Sequence, residues 1–413
     1  MTSRAGTRRE ILSRAGIMAM TAITSLATIL APLAATAQRT GADETVVIGF
    51  LTREEEPLIP LSFLDPVLTD EGLQGARLAL SDNRSTGRFT GQEFALREAV
   101  IPIGDDAAAG FRDLTAEGAR FIVADLPADD LLAVADLPEA GALLLINARA
   151  RDDRLRNEDC RANVLHTIPS RAMLADALAQ YLVVKRWTKW LLVVGRHEPD
   201  RLFADAIRRA AQRYRAEIVE EKDWTFEAGN ARVDTGHVTL QRTIPTFSRA
   251  ADHDVVIVAD EMNEFGEYFG HRTFLPRPIA GTQGLVPTAW NRVFEQWGGT
   301  QLHSRFQRQA GRWMTERDYS AWMAVRTIGE AATRAKSVEP GVIADYIRGP
   351  DFELAAFKGQ GLTFREWDGQ LRQPVPLTGP RILVSVSPQE GFLHPFSELD
   401  TLGHDRPESG CRR

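Results

Sequence analysis

The chain has 413 residues, 49 basic against 56 acidic side chains and a net charge of −7. That balance excludes nucleic acid and anionic membrane surfaces as partners, because both demand a cationic face. The length exceeds what one hydrophobic core fills, so two lobes are expected.

Arg4, Arg8, Arg9 and Arg14 precede an apolar, small-residue run over residues 15–33, and Ala35-Thr36-Ala37 fits an A-x-A cleavage site. A basic segment, an apolar stretch and small residues at its end make residues 1–37 an export signal rather than a structural helix, and place the mature chain in the periplasm. Within it, Thr7-Arg8-Arg9-Glu10-Ile11-Leu12 looks like a twin-arginine signal. No later segment reaches the roughly 18 to 20 continuous apolar residues of a membrane span.

The short apolar run at 45–51 predicts a buried strand, and Leu73, Ala76 and Leu80 predict a helix over 70–83 with Asp70 as its N-cap. Strand 94–101, helix 105–117, strand 120–124, a helical turn or two at 129–138 and strand 143–147 follow. The pattern then restarts. Ser170 caps a long helix ending near Trp187, followed by strand 190–194, helix 200–215, strand 217–224, strand 254–259 and a short helix opened by Asn263. Two successive series of strands alternating with helices imply two doubly wound α/β lobes with parallel sheets.

No third lobe begins after that. Strand 278–282 leads to helices 318–336 and 340–347, then to hairpin-like stretches at 361–371, with an Asp368-Gly369 turn signal, and 381–386. The chain is expected to cross back into the first lobe and return. The expected division is an N-terminal lobe of residues 44–158 plus 279–360, a C-terminal lobe of 159–278 plus 361–400, and a tail at 401–413. His166 is read as part of the strand entering the second lobe.

A cleft between such lobes is lined by loops after the strand ends. These supply Thr52 and Arg53; Pro127 and Ala128; Asn147, Ala148, Arg149 and Arg151; then Ser170, Arg196, His197 and Glu261. The returning segment adds Arg272, Thr282, Gln283 and Trp290. Ser170 and the amides after it direct positive charge toward the cleft.

A catalytic reading finds little support. Cys160 with His166 has the residue types of a thiolate–imidazole pair, yet six residues along an extended segment do not bring two side chains together, and no G-x-S-x-G elbow occurs. Two cysteines in an oxidising compartment form a disulfide by default, so Cys160 is paired with Cys411. The eight histidines never pair at metal-ligand spacing, and Asp252-His253-Asp254 is a poor chelate before a strand. No metal site and no glycine-rich phosphate loop is expected.

An exported, two-lobed α/β chain ending in helix, helix and hairpin resembles type I periplasmic solute-binding proteins of the branched-chain amino acid class. The stretches CRANVLHTIPSRAMLADALAQYL (160–182), VADE (258–261), RPIAGTQGLVPTAW (277–290), EQWGGTQLHSRF (295–306), FKGQGLTFREWDGQLRQP (357–374) and LDTLGHDRPESGC (399–411) look like the subfamily associated with pyrroloquinoline quinone-dependent alcohol oxidation. That resemblance implies a non-catalytic protein binding pyrroloquinoline quinone (PQQ), for uptake through an ABC permease or delivery to a quinoprotein dehydrogenase. A flat tricarboxylate needs forked cations and an aromatic wall, for which Arg53, Arg149, Arg151, Arg272 and Trp290 have the right types. Capture of an amino acid or another small carboxylate is the alternative. From another class, a thiol-dependent periplasmic enzyme or redox accessory would use Cys160.

Overall fold

Val46, Ile48 and Phe50 point to one face of the first strand, β1 (Thr45–Arg53), while Val47 and Leu51 point to the other, and the two faces enter separate hydrophobic layers. The structure is a computed structural model describing residues 45–56, 67–225 and 236–412. The expected export signal lies outside these residues. β1 pairs in parallel with β2 (Glu93–Ile101) and β3 (Phe121–Asp125), and the sheet continues through β4 (Leu144–Asn147) to β5 (Val164–His166), giving the order β2-β1-β3-β4-β5. Helix α1 (Leu73–Thr90) covers one face; α2 (Ala107–Ala116) and α3 (Ala128–Ala135) cover the other. β3 and β4 are buried throughout, as strands covered on both faces must be.

Two local expectations change here. Asp70 does not cap α1, whose N-cap is Gly72 with no side-chain bond; Asp70 is instead drawn to Arg312, 2.9 Å away. His166 closes the first sheet rather than opening the second, because β5 pairs with β4. The first crossing therefore runs through 167–170, the extended approach to the Ser170 cap.

The second sheet repeats the plan. After α4 (Arg171–Val184) come β6 (Lys189–Val194), α5 (Glu198–Tyr214), β7 (Glu217–Asp223), α6 (Gly236–Phe247), β8 (Val255–Ala259) and β9 (Ile279–Gly281), with parallel order β7-β6-β8-β9. A short strand, β10 (Val286–Pro287), leads back to the first lobe. There α7 (Gly299–Ala310), which the sequence patterning did not reveal, α8 (Glu316–Ala335) and α9 (Pro340–Arg348) join the layer over α1. Gly75 allows the approach of α1 to α8: a Cβ there would lie 1.8 Å from the carbonyl oxygen of Asp318.

β11 (Leu354–Ala355) and β12 (Gly361–Leu362) form a small ribbon. The Asp368-Gly369 turn lies between Phe364 and Leu371, which bridge in antiparallel fashion. Leu371 packs in the first lobe, whereas Val375 and Leu377 pack in the second, so the last crossing falls between them. There β13 (Val375–Gly379) and β14 (Ile382–Ser387) form a hairpin beside β10. The residues after it wrap over α4. Gln180 donates to the Thr401 hydroxyl, Gly403 N–H donates to Asp176, and Arg209 and Arg213 also reach Asp176 at 3.0 Å. The tail ends in a Cys160–Cys411 disulfide.

Candidate functional site

Both sheets present the carboxyl ends of their strands at the level of the crossings, the position where open α/β sheets bind ligands. On the first lobe the centre is Asp125, the last residue of β3, which is fully buried. Its carboxylate accepts the Thr52 hydroxyl at 2.7 Å and a fork from Arg317, with Nε to Oδ1 at 2.6 Å and Nη2 to Oδ2 at 2.7 Å. Arg317 stands in the first turn of α8. The remaining nitrogen of Arg317 and the Arg149 guanidinium bind opposite oxygens of one carboxylate, Glu55. Burial, reinforced by the neighbouring Arg317 charge, holds the Arg149 guanidinium below its usual range. Burial opposes the Arg317 charge too, but Asp125 and Glu55 outweigh it and raise that group.

The other arginines of this rim are matched within the lobe. Arg53 turns sideways, pairing with Asp130 and donating to the carbonyls of Pro102 and Asp105. Arg151 pairs with Glu316 at 2.9 Å.

Ser170 caps α4 as expected, accepting from Met173 N–H at 3.3 Å. The amides it heads are already engaged, however. Arg171 N–H donates to the Arg151 carbonyl and Ala172 N–H to the Asp153 carboxylate, both at 3.0 Å, and Ser170 itself is buried. The helix terminus is satisfied by the first lobe's own loop.

Arg171, which the sequence did not single out, forks onto Glu261 at 3.0 and 2.7 Å and reaches Asp152 at 3.2 Å. Burial opposes its charge, but these carboxylates hold the guanidinium above its usual range. Glu261 N–H is fixed by Asp200 at 2.7 Å. Arg196 and His197 share Glu264, at 3.0 and 2.9 Å. Thr282 accepts from Asp260 N–H, and Gln283 donates to the Asp260 carbonyl, so both brace the turn after β8. Arg272 donates to the carbonyls of Tyr268 and Gly270 in its own loop. Trp290 is only 1% exposed and stacks on Tyr319 with ring centroids 4.3 Å apart, inside the first lobe's core.

Of the sequence-predicted residues, the structure thus gathers Arg149, Arg151 and Glu261 with Arg171, Asp152 and Glu316. Arg53 stands on the same rim but turns to Asp130, while Arg196 pairs with Glu264, Arg272 bonds within its own loop and Trp290 lies in the first lobe's core. Glu55, Asp125 and Arg317 escaped notice because strand-end acids and a helix's first turn carry no local signal of proximity. Among the described residues, no group of three or more His, Cys, Asp or Glu side chains could hold a metal ion.

A family model described as periplasmic binding protein matches residues 102–232. Among curated proteins, none matches the chain in sequence. Solved structures match over most of the molecule. A branched chain amino acid ABC transporter periplasmic ligand-binding protein from Burkholderia xenovorans superposes with a TM-score of 0.63 at 16% identity, over 83% of this chain and 94% of its own. An ABC transporter substrate-binding protein from Desulfitobacterium hafniense in complex with Leu gives 0.61 at 16% identity, over 83% and 99%. A solute binding protein of an ABC transporter from Rhodopseudomonas palustris, in complex with 3,4-dihydroxy benzoic acid, gives 0.58 at 12% identity, over 82% and 93%. The fold is that of the type I periplasmic binding proteins.

Proposed function

We propose that this protein is the solute-binding component of an ABC-type importer, acting in the periplasm without catalysis, and that its solute carries one carboxylate and one ammonium group, as an amino acid does. The observation that carries this reading is the charge arrangement at the strand ends. Arg149 and Arg317 face two carboxylates, of which Asp125 is fully buried while the Glu55 side chain is 50% exposed. Displacing Glu55 leaves one positive charge uncompensated in a forked, carboxylate-shaped setting. Arg53 with Asp130 and Arg151 with Glu316 are neutral pairs and add nothing to that sum. Beside them, Arg171 faces both Glu261 and Asp152, an excess of one negative charge suited to an ammonium.

PQQ, with three carboxylates and a ring system, fits this arrangement less well. A single cationic vacancy serves one carboxylate, and the expected aromatic wall, Trp290, is enclosed in the core. A thiol-dependent enzyme finds no support either, since Cys160 is joined to Cys411. The described residues contain no helix long and apolar enough to cross a membrane.

Thermal-shift and calorimetric titration of the purified protein with the twenty amino acids, 3,4-dihydroxybenzoate and PQQ tests the reading. Saturable stabilisation by one or more amino acids is expected. Binding of the quinone with no response to any amino acid would overturn it.

A further inference from the structure

Glu55 stands two residues beyond the end of β1, in a stretch without regular structure. Its two oxygens go to two different arginines, Oε1 to Arg149 and Oε2 to Arg317, the manner in which a free carboxylate would bridge them. The arginine side chains are 15% and 17% exposed, against 50% for Glu55, so the acid is the movable partner. Asp125 is the fixed one, held by Thr52 and by two nitrogens of Arg317.

We infer that Glu55 is a tethered competitor, occupying the Arg149–Arg317 pair in the ligand-free protein and swinging aside when a solute carboxylate takes its place. The inference rests on the single-carboxylate reading above and adds a specificity-determining residue to it. An ion pair whose acid is half in solvent biases the Glu55-occupied arrangement only about two- to fivefold, since exposed pairs are weak. Glu55 therefore keeps the two part-buried arginines neutralised without barring a solute that presents its carboxylate together with a second anchoring group. Weak, singly anchored anions are disfavoured by that same few-fold factor.

The test uses the full-length chain and sodium acetate as the probe, with sodium chloride at matched ionic strength as reference and melting temperature as readout. Glu55→Gln keeps the shape and removes the charge; Glu55→Ala removes the side chain. Both variants are expected to gain an acetate-specific stabilisation that saturates in the millimolar range, while the wild type requires about two- to fivefold more acetate. Equal acetate response in wild type and both variants would overturn the competitor role, as would failure of both variants to fold, because Glu55 would then be structural rather than displaceable. Adding Arg149→Met to Glu55→Gln separates the two claims. Loss of the acetate response places the probe at the arginine pair, whereas its persistence contradicts both the competitor and the carboxylate reading.

Discussion

Lys358 donates its ammonium to the carbonyls of Ala289 and Pro374, which lie where the second and third crossings leave or enter the first lobe. It is buried against the rings of Trp290, Phe294 and Tyr319, 5.3 to 5.9 Å from their centroids, with Glu316 as the nearby anion. Burial pushes its pKa down to about 7. Between that value and the usual lysine range the unfolded chain holds a proton that the folded chain has released, so this residue makes stability rise with pH from about 7 to about 10. Urea unfolding at pH 7, 8 and 9 should show wild type gaining on Lys358→Met by at most about 1.4 kcal/mol per pH unit. A pH-independent difference would show that Lys358 stays charged. No residue pattern announced this site, because its cage is assembled from segments nearly seventy residues apart. The arginine pair was half legible for the same reason: Arg149 follows a readable strand, while Arg317 reaches it only through tertiary packing.

At the scale of elements, alternation of apolar runs with helical spacing located most strands and helices of both lobes. β5 was misplaced because three residues are too few to show a period, and only pairing with β4 assigns them. α7 was missed since its glycine-rich entry, Gly298-Gly299, reads as a turn. The tail was anticipated as a staple from cysteine count alone, but its contacts were not. It lies against both α4, through Gln180 and Asp176, and the loop at Arg365 and Arg372, which hold Asp400 at 2.8 Å. The disulfide closes a sequence separation of 251 residues. Chain entropy assigns such a loop about 5 kcal/mol, an upper value. Replacing Cys160 and Cys411 by serine should lower the guanidinium midpoint, and reductant should lower the wild type to match but leave the variant unchanged. Coincident midpoints for wild type and variant without reductant would deny the bridge an energetic role.

At the scale of the molecule, two parallel sheets joined by three crossings set both rims of strand ends beside one another, and this much followed from the order of elements in the sequence. The ligand class did not. The resemblance implies a quinone, whereas the function proposed from the strand-end charges, summed pair by pair, is capture of a solute with one carboxylate and one ammonium. Pairing of side chains across lobes and crossings decides that sum, and composition does not record it. The most direct test is calorimetric titration of wild type, Arg149→Met and Glu261→Gln with the amino acid that stabilises the protein most. One-to-one binding is predicted for wild type, with each variant weakened about 10- to 100-fold, the loss of a charge-assisted hydrogen bond. Unchanged affinity in both variants would contradict a site built on the paired strand ends.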